Sequence, residues 1–251
     1  MSAPLLNKVA LVTGSSRGIG AAVARHLASE GATVVVNYVN SAKAAEEVTN
    51  DINAKGPGKA VAIKADVSVL KEGERLVEET VKQLGGLDVL VLNAAVMDLA
   101  TLDKVTEEQY QRHFDVNVKV PLFMAKAAAP HMKSGGRIVF FSTSLTMNTN
   151  VPSNYLLYVS TKGAIQQFTR VLAKDLGAKG ITVNCVAPGP TDTELFREGK
   201  PEALIQQFAS MHPMKRIGTP EEIGPVVSFL AKEESSWVNG QTLFVNGGFN
   251  V

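Results

Sequence analysis

Lys8-Val-Ala-Leu-Val-Thr-Gly-Ser-Ser-Arg-Gly-Ile-Gly20, continued by Ala21-Ala-Val-Ala-Arg-His-Leu-Ala-Ser-Glu-Gly31, decides the fold of this chain. The run up to Thr13 is unbroken and apolar, which suits a strand covered on both faces. Gly14, Gly18 and Gly20 then interrupt it, and the stretch from Ala21 places apolar residues at helical spacing before a glycine stop at Gly31. Strand, glycine turn and helix in that order open a βαβ unit. A turn without Cβ atoms lets the backbone approach a pyrophosphate, and the helix behind it offers free N–H groups and the positive end of its dipole. The glycine spacing differs from GxGxxG, with three residues between the first two glycines and one before the third.

Working outward, further apolar strand candidates lie at 33–37, 60–65, 88–92, 137–142, 181–187 and 242–246. Nearly all are continuous rather than alternating, and helical stretches separate them. That alternation predicts an α/β fold, a doubly wound parallel sheet of seven strands with helices on both faces, in one domain over 1–251. A helix over about 106–133 opens with Thr106 and Gln109 as a capping box, and another opens Thr219-Pro220-Glu-Glu222 with Pro at its first position. The irregular pieces 94–105, 145–156 and 188–219 all follow strands, at the end where such a sheet binds ligands, so they are expected to hold the substrate.

Tyr158 and Lys162 are four residues apart on a predicted helix, hence on one face. A free phenol has a pKa of about 10, and a nearby ammonium is expected to lower it. Thr13-Gly-x-x-x-Gly-x-Gly20 together with Tyr158-x-x-x-Lys162 resembles the short-chain dehydrogenase/reductase family. The resemblance runs through Leu92-Asn93-Ala94-Ala95, Asn117, Ser142-Thr143-Ser144, Pro188-Gly189 and Val238 to Gly248, essentially the whole chain. It implies hydride transfer between a nicotinamide and a carbonyl carbon, with Tyr158 as acid in reduction and base in oxidation. Lys162 is implied to lower the Tyr158 pKa and hold ribose hydroxyls, and Asn117 to brace a helix and a proton-relaying water. A hydroxyl after the fifth strand is implied to polarise the carbonyl. Counting from Arg137 puts Thr143 there, counting back from Tyr158 favours Ser144, and Ser142 is the outsider; Ser144 is preferred because the family favours serine.

The resemblance also implies that Gly14, Ser16, Arg17, Gly18, Ile19 and Gly20 cradle the cofactor phosphates, with Asp66, Val67, Asn93 and Ala94 on the adenine side. Pro188, Gly189, Thr191 and Thr193 are implied near the nicotinamide. At the end of the second strand, Asn37-Tyr38-Val39-Asn40-Ser41 lacks the acid that an NAD enzyme places against the ribose. Asn37, Tyr38, Asn40 and Ser41 offer donors to a phosphate instead, and Arg17 adds a positive charge, so NADP(H) is the expected cofactor.

Met97, Leu99, Met147, Val151, Tyr155, Leu195, Phe196, Met211 and Met214 lie in the irregular pieces and predict an apolar pocket for a ketone or secondary alcohol of moderate size, including aromatic, polyketide-derived or terpenoid ones. The alternative is a 3-oxoacyl group on acyl carrier protein; such reductases resemble this chain but carry arginines near the entrance, where it has Ala128 at one place and Lys179 at the other. A catalytically silent NADP(H)-binding sensor is the remote alternative.

Composition excludes other classes. A net charge of +1 with no basic run gives no footprint for nucleic acid, the four histidines show no metal-ligand spacing, and no metal is expected. Cys185, the single cysteine, fits a core position in a reducing compartment. Met1-Ser-Ala-Pro-Leu-Leu-Asn7 has neither a basic n-region nor a long apolar stretch, and no run approaches a membrane span, so a soluble cytoplasmic protein with no membrane partner is expected. The family resemblance implies a homotetramer, with a homodimer as the smaller possibility, through helices near 106–133 and 157–178 and the C-terminal segment.

Overall fold

The computed structural model describes residues 3–250. Every expected strand forms close to its expected bounds: β1 (Val9–Val12), β2 (Thr33–Tyr38), β3 (Lys59–Lys64), β4 (Val89–Leu92), β5 (Arg137–Phe141), β6 (Thr182–Pro188) and β7 (Thr242–Val245). They make one seven-stranded sheet in the order β3-β2-β1-β4-β5-β6-β7, all neighbours parallel. Parallel neighbours need crossovers, and the chain supplies them as α1 (Gly18–Ser29), α2 (Ala42–Lys55), α3 (Leu70–Leu84), α4 (Glu107–Phe114), α5 (Val120–Ala128), α6 (Leu156–Gly177), α7 (Glu194–Arg197), α8 (Glu202–Met211) and α9 (Pro220–Ala231). Among the described residues no helix is long and apolar enough to cross a membrane.

The continuous apolar strands divide their residues between two cores. Val12, Val36, Val91 and Val139 pack with Leu27 of α1, Ile52 of α2 and Val227 of α9. Leu11, Val35, Leu90 and Ile138 pack on the other face with Leu76 of α3, Met124 of α5 and Ile165 of α6. Each fully buried aliphatic side chain contributes about 1.5–3 kcal/mol, so a one-residue slip of any central strand would exchange two filled cores and is strongly disfavoured.

Two expected elements differ. The long helix expected over 106–133 is broken into α4, a π-helical turn at Asp115–Lys119, α5 and a 3₁₀ turn at Ala129–His131. Pro121 is the physical reason, because it has no N–H to give the Asn117 carbonyl four residues earlier. The segment 188–219, expected to be irregular, contains α7 and α8; Thr193 caps the first by accepting from the Phe196 N–H at 3.1 Å. The capping box of Thr106 and Gln109 forms as expected, and Glu222 accepts from the Thr219 N–H at 2.9 Å.

Strand order reverses at β1, whose neighbours β2 and β4 connect away in opposite directions. Asn37, fully buried near the end of β2, holds this point: its Oδ1 accepts from the Gly14 N–H at 3.0 Å and its Nδ2 donates to the Ala65 carbonyl at 3.0 Å. Asn37→Asp would face a carboxylate towards that carbonyl inside the core. We expect a loss of at least about 1–3 kcal/mol, read as a lower midpoint in urea unfolding; an unshifted midpoint would show that the clip is dispensable.

Candidate active site

A cavity of about 600 Å³ opens at the C-terminal ends of β1, β2 and β4. Its floor is the glycine loop, and side chains hold that loop in place. The Thr13 hydroxyl accepts from the N–H groups of Asn93 at 3.0 Å and Ala94 at 3.1 Å, and the Asn93 amide donates to the Thr13 carbonyl at 2.9 Å. Gly14 sits at φ +61°, and a Cβ on Gly20 would lie 2.4 Å from the Gly14 carbonyl oxygen. Those two positions need glycine. No side chain caps α1 at Arg17, so its first N–H groups face the cavity as a ready anion site.

Ser16, Arg17, Gly18 and Ile19 line this cavity, as do Val67, Asn93 and Ala94. Tyr38, Asn40 and Ser41 line its far end, and β2 contributes no carboxylate there. Asn37 also lines it, but both ends of its amide are engaged with Gly14 and Ala65, which corrects the expectation that it donates to a phosphate. Asp66 is off the lining; its carboxylate accepts from the N–H and hydroxyl of Ser68 at 2.9 and 2.7 Å, turning the chain into α3. Sequence reading missed Glu194 and Glu198 on the rim. Glu194 pairs with Arg17 at 2.5 Å, both side chains being largely exposed.

A second cavity of about 450 Å³ continues from the first and shares Ile19, Asn93 and Thr193 with it. Tyr158 and Lys162 point into it from α6, Thr143 and Ser144 from the segment after β5, and Pro188, Gly189 and Thr191 from the segment that ends and follows β6. The Lys162 Nζ donates to the Phe141 carbonyl at 2.9 Å and lies 5.7 Å from the Tyr158 ring centroid. Burial pushes the Tyr158 phenol up to about 12 and Lys162 down to about 8. The expected lowering of Tyr158 by Lys162 is therefore absent; a hydrogen bond with Thr143 is what eases the phenol downward.

That bond also bears on the choice between hydroxyls. Thr143 lines the cavity beside the phenol, its Oγ1 accepting a long 3.4 Å bond from the Leu145 N–H, whereas Ser144, the preferred candidate from sequence, is turned to the C-terminal segment: its carbonyl accepts from Asn250 Nδ2 at 3.0 Å and its Oγ lies 3.4 Å from the same nitrogen. Ser142 donates to the Lys162 carbonyl at 3.0 Å. Asn117 is buried in the π-helical turn and lines neither cavity; its amide accepts from the Val96 N–H and donates to the Val96 carbonyl, each at 2.9 Å.

Of the apolar residues expected in the pocket, Met97, Tyr155, Leu195, Phe196 and Met211 line it. Leu99, Met147, Val151 and Met214 do not; each is well exposed. Phe208 and Phe249 take their place. Phe208 was legible, since it falls three residues before Met211 on an apolar face, and it meets Phe196 edge-on at 5.8 Å. Phe249 was not, because it enters only when the tail folds back and stacks on His212 at 5.5 Å. Asn148, Asn150 and Asn250 add amides to an otherwise apolar wall. Ala128 is fully buried in α5, and Lys179 follows α6 at the opposite end of the sheet, so neither presents a charge at the entrance.

A family model described as enoyl-(acyl carrier protein) reductase matches residues 14–250. A short chain dehydrogenase/reductase, AacuN of Aspergillus aculeatus, is 45% identical over 260 residues, covering 98% of each chain. A hydroxynaphthalene reductase-like protein, Arp2 of Metarhizium guizhouense, is 42% identical over 256 residues, covering 97% of this chain and 95% of that one. Among solved structures, the angucycline C-6 ketoreductase LanV with bound NADP superposes with a TM-score of 0.91 at 37% identity, covering 99% of this chain and 98% of that one.

The buried ammonium has a cost that can be measured. Lys162 titrates near 8 when folded against an ordinary 10.5, so below pH 8 the fold carries the full burden of a desolvated charge, and between 8 and 10.5 stability rises with pH. Such a shift corresponds to about 3 kcal/mol, offset by about 1 kcal/mol for the bond to Phe141. Lys162→Met should raise the Tm of the ligand-free protein at pH 7, and the gain should fade as pH approaches 10.5. A Tm that is lower at every pH would mean that the lysine is not a burden.

Proposed function

The chain belongs to the short-chain dehydrogenase/reductase family, and on that premise we propose that it is an NADP(H)-dependent carbonyl reductase for flat, largely apolar ketones of moderate size, hydroxylated aromatic ketones foremost. The observation that carries this reading is the placing of Tyr158, Thr143 and Lys162 together on the wall of the second cavity, which continues from the first. The glycine loop and the open first turn of α1 fit a pyrophosphate, and Arg17, Tyr38 and Ser41 fit a 2′-phosphate where an acid would repel it. Arg17 now holds Glu194, but an exposed ion pair is worth about 0.2–1 kcal/mol and a charge-assisted phosphate contact about 1.5–3 kcal/mol. The phosphate wins that competition.

The bound nicotinamide supplies the hydride. Tyr158 supplies the proton: it keeps that proton up to about pH 12, so it stays neutral until charge develops on the substrate oxygen beside it. Thr143, next to the phenol, is placed to donate to the same oxygen. Lys162, titrating near 8, is positioned to hold ribose hydroxyls and to restore the phenol proton. Aromatic walls from Phe196, Phe208 and Phe249 exclude water and stack on a flat ring, and the amides of Asn148, Asn150 and Asn250 suit its hydroxyl groups. The hydroxynaphthalene reductase-like relative and the angucycline ketoreductase support this substrate class. Ala128 is an uncharged buried residue and Lys179 lies at the end of the sheet away from the cavities, which weighs against an acyl carrier protein. The free, buried Cys185 suits a reducing cytoplasm, and exposed Tyr110, Leu156 and Val171 on α4 and α6 support a homotetramer.

NADPH oxidation over a panel of tetralone, decanone and an acetoacetyl thioester tests the class; tetralone should be reduced fastest, and preference for the thioester would overturn it. Tyr158→Phe and Thr143→Ala should each lower kcat on the order of 10²-fold or more, and Ser144→Ala much less. A larger loss at Ser144 would reverse the assignment of the hydroxyl.

Cofactor choice is tested separately. Arg17→Ala should weaken NADPH about ten- to a hundredfold and NADH little, measured as Kd by fluorescence titration. Equal weakening of both would assign Arg17 to the pyrophosphate or the loop.

A further inference from the structure

We infer that Gln166 is a positioning residue for the reactive hydroxyl and the lysine, setting the direction of the hydrogen bonds behind them; this rests on the roles proposed for Thr143, Tyr158 and Lys162. Gln166 lies four residues after Lys162 on α6, hence on the same face, and lines neither cavity. Its Nε2 donates to Ser142 Oγ at 3.1 Å and to Thr146 Oγ1 at 2.7 Å. An amide nitrogen can only donate, so both hydroxyls must accept from it and direct their own protons elsewhere. Ser142 directs its proton to the Lys162 carbonyl at 3.0 Å, and Thr146 to the Thr143 carbonyl at 2.8 Å. The opposite amide orientation would draw both protons to Oε1 and forfeit both bonds.

The consequence is geometric. Thr143 is held at its carbonyl by Thr146, and its Oγ1, which accepts from the Leu145 N–H at 3.4 Å, stays on the cavity wall that Tyr158 also lines. Ser142 joins the end of β5 to the backbone of the residue whose ammonium reaches the Phe141 carbonyl. One side chain thus fixes the strand end and the helix turn against each other, and a small misplacement of reacting groups is worth up to 10²-fold in rate.

Two variants of nearly the same shape test this. Gln166→Met removes the donor, and Gln166→Glu replaces it with a group that only accepts while ionised. With the best-reduced ketone of the panel, Gln166→Met should lower kcat about tenfold to a hundredfold with KM for NADPH within about twofold. Gln166→Glu should lose as much at neutral pH and regain kcat, relative to wild type, as the carboxyl protonates and can donate again. That acid limb should be missing from wild type and from Gln166→Met. Retention of kcat within about twofold in both variants would overturn the inference, and so would a Gln166→Glu deficit that is the same at every pH. Tyr158→Phe measured alongside keeps the two readings apart: if it stays active the proposed acid is wrong, whatever Gln166 does.

Discussion

Everything on the ligand-binding side of the sheet depends on how the end of β1 is clasped to the strands beside it. Thr13 and Asn93 join it to β4, and Asn37 and Gly14 join it to β2. A strand that ends in glycines has no side chains to pack, and its next residues must bend sharply into α1. Without these bonds the loop would trade conformational entropy against nothing. With them, the buried N–H and carbonyl groups of the turn are satisfied internally, and the loop can present its outer face and the first turn of α1 to an anion. The two cavities are then two ends of one cleft, because Asn93 and Ile19 belong to both.

Burial gives the reactive pair its character. Removing a phenol and an ammonium from water disfavours both charged forms, raising Tyr158 and lowering Lys162. Under the roles proposed for them, an acid that must not leak its proton gains from this, and so does a lysine that gives one up near neutrality. The same desolvation costs stability, so the site is maintained at the expense of the fold. The surrounding bonds limit that expense: the lysine keeps a carbonyl partner at Phe141, the phenol keeps Thr143, and no buried side-chain nitrogen or oxygen among the described residues lacks a partner.

What could be read in advance was whatever one stretch of chain determines by itself. The glycine loop, the seven strands and the Tyr158–Lys162 spacing are local patterns, and the structure places them where the patterns say. What could not be read was how distant pieces compete for the same groups. Asn37 looks free in sequence and is consumed by Gly14 and Ala65. Thr143 and Ser144 are chemically near-equivalent neighbours, and only the path of the chain from β5 turns one to the phenol and the other to Asn250. Phe249 and Asn250 carry no pattern at all; they reach the second cavity because His212 and Asn246 fold the tail back over it.

Asn117 shows how a residue type follows from the fold before any chemistry is considered. Beyond the end of β4 the N–H and carbonyl of Val96 both turn towards the π-helical turn, and the Asn117 amide reaches both, accepting from the one and donating to the other. Aspartate would accept but not donate, and leucine would leave two buried groups unmet at about 1–3 kcal/mol each. The same turn exists because Pro121 withholds the N–H that an uninterrupted helix would give to the Asn117 carbonyl. The side chain is therefore committed to holding the segment that carries Ala95 and Met97 into the cleft. The Asn117 carbonyl is denied its α-helical partner by a proline four residues away, so the break in the helix and the identity of the residue serve the cleft together.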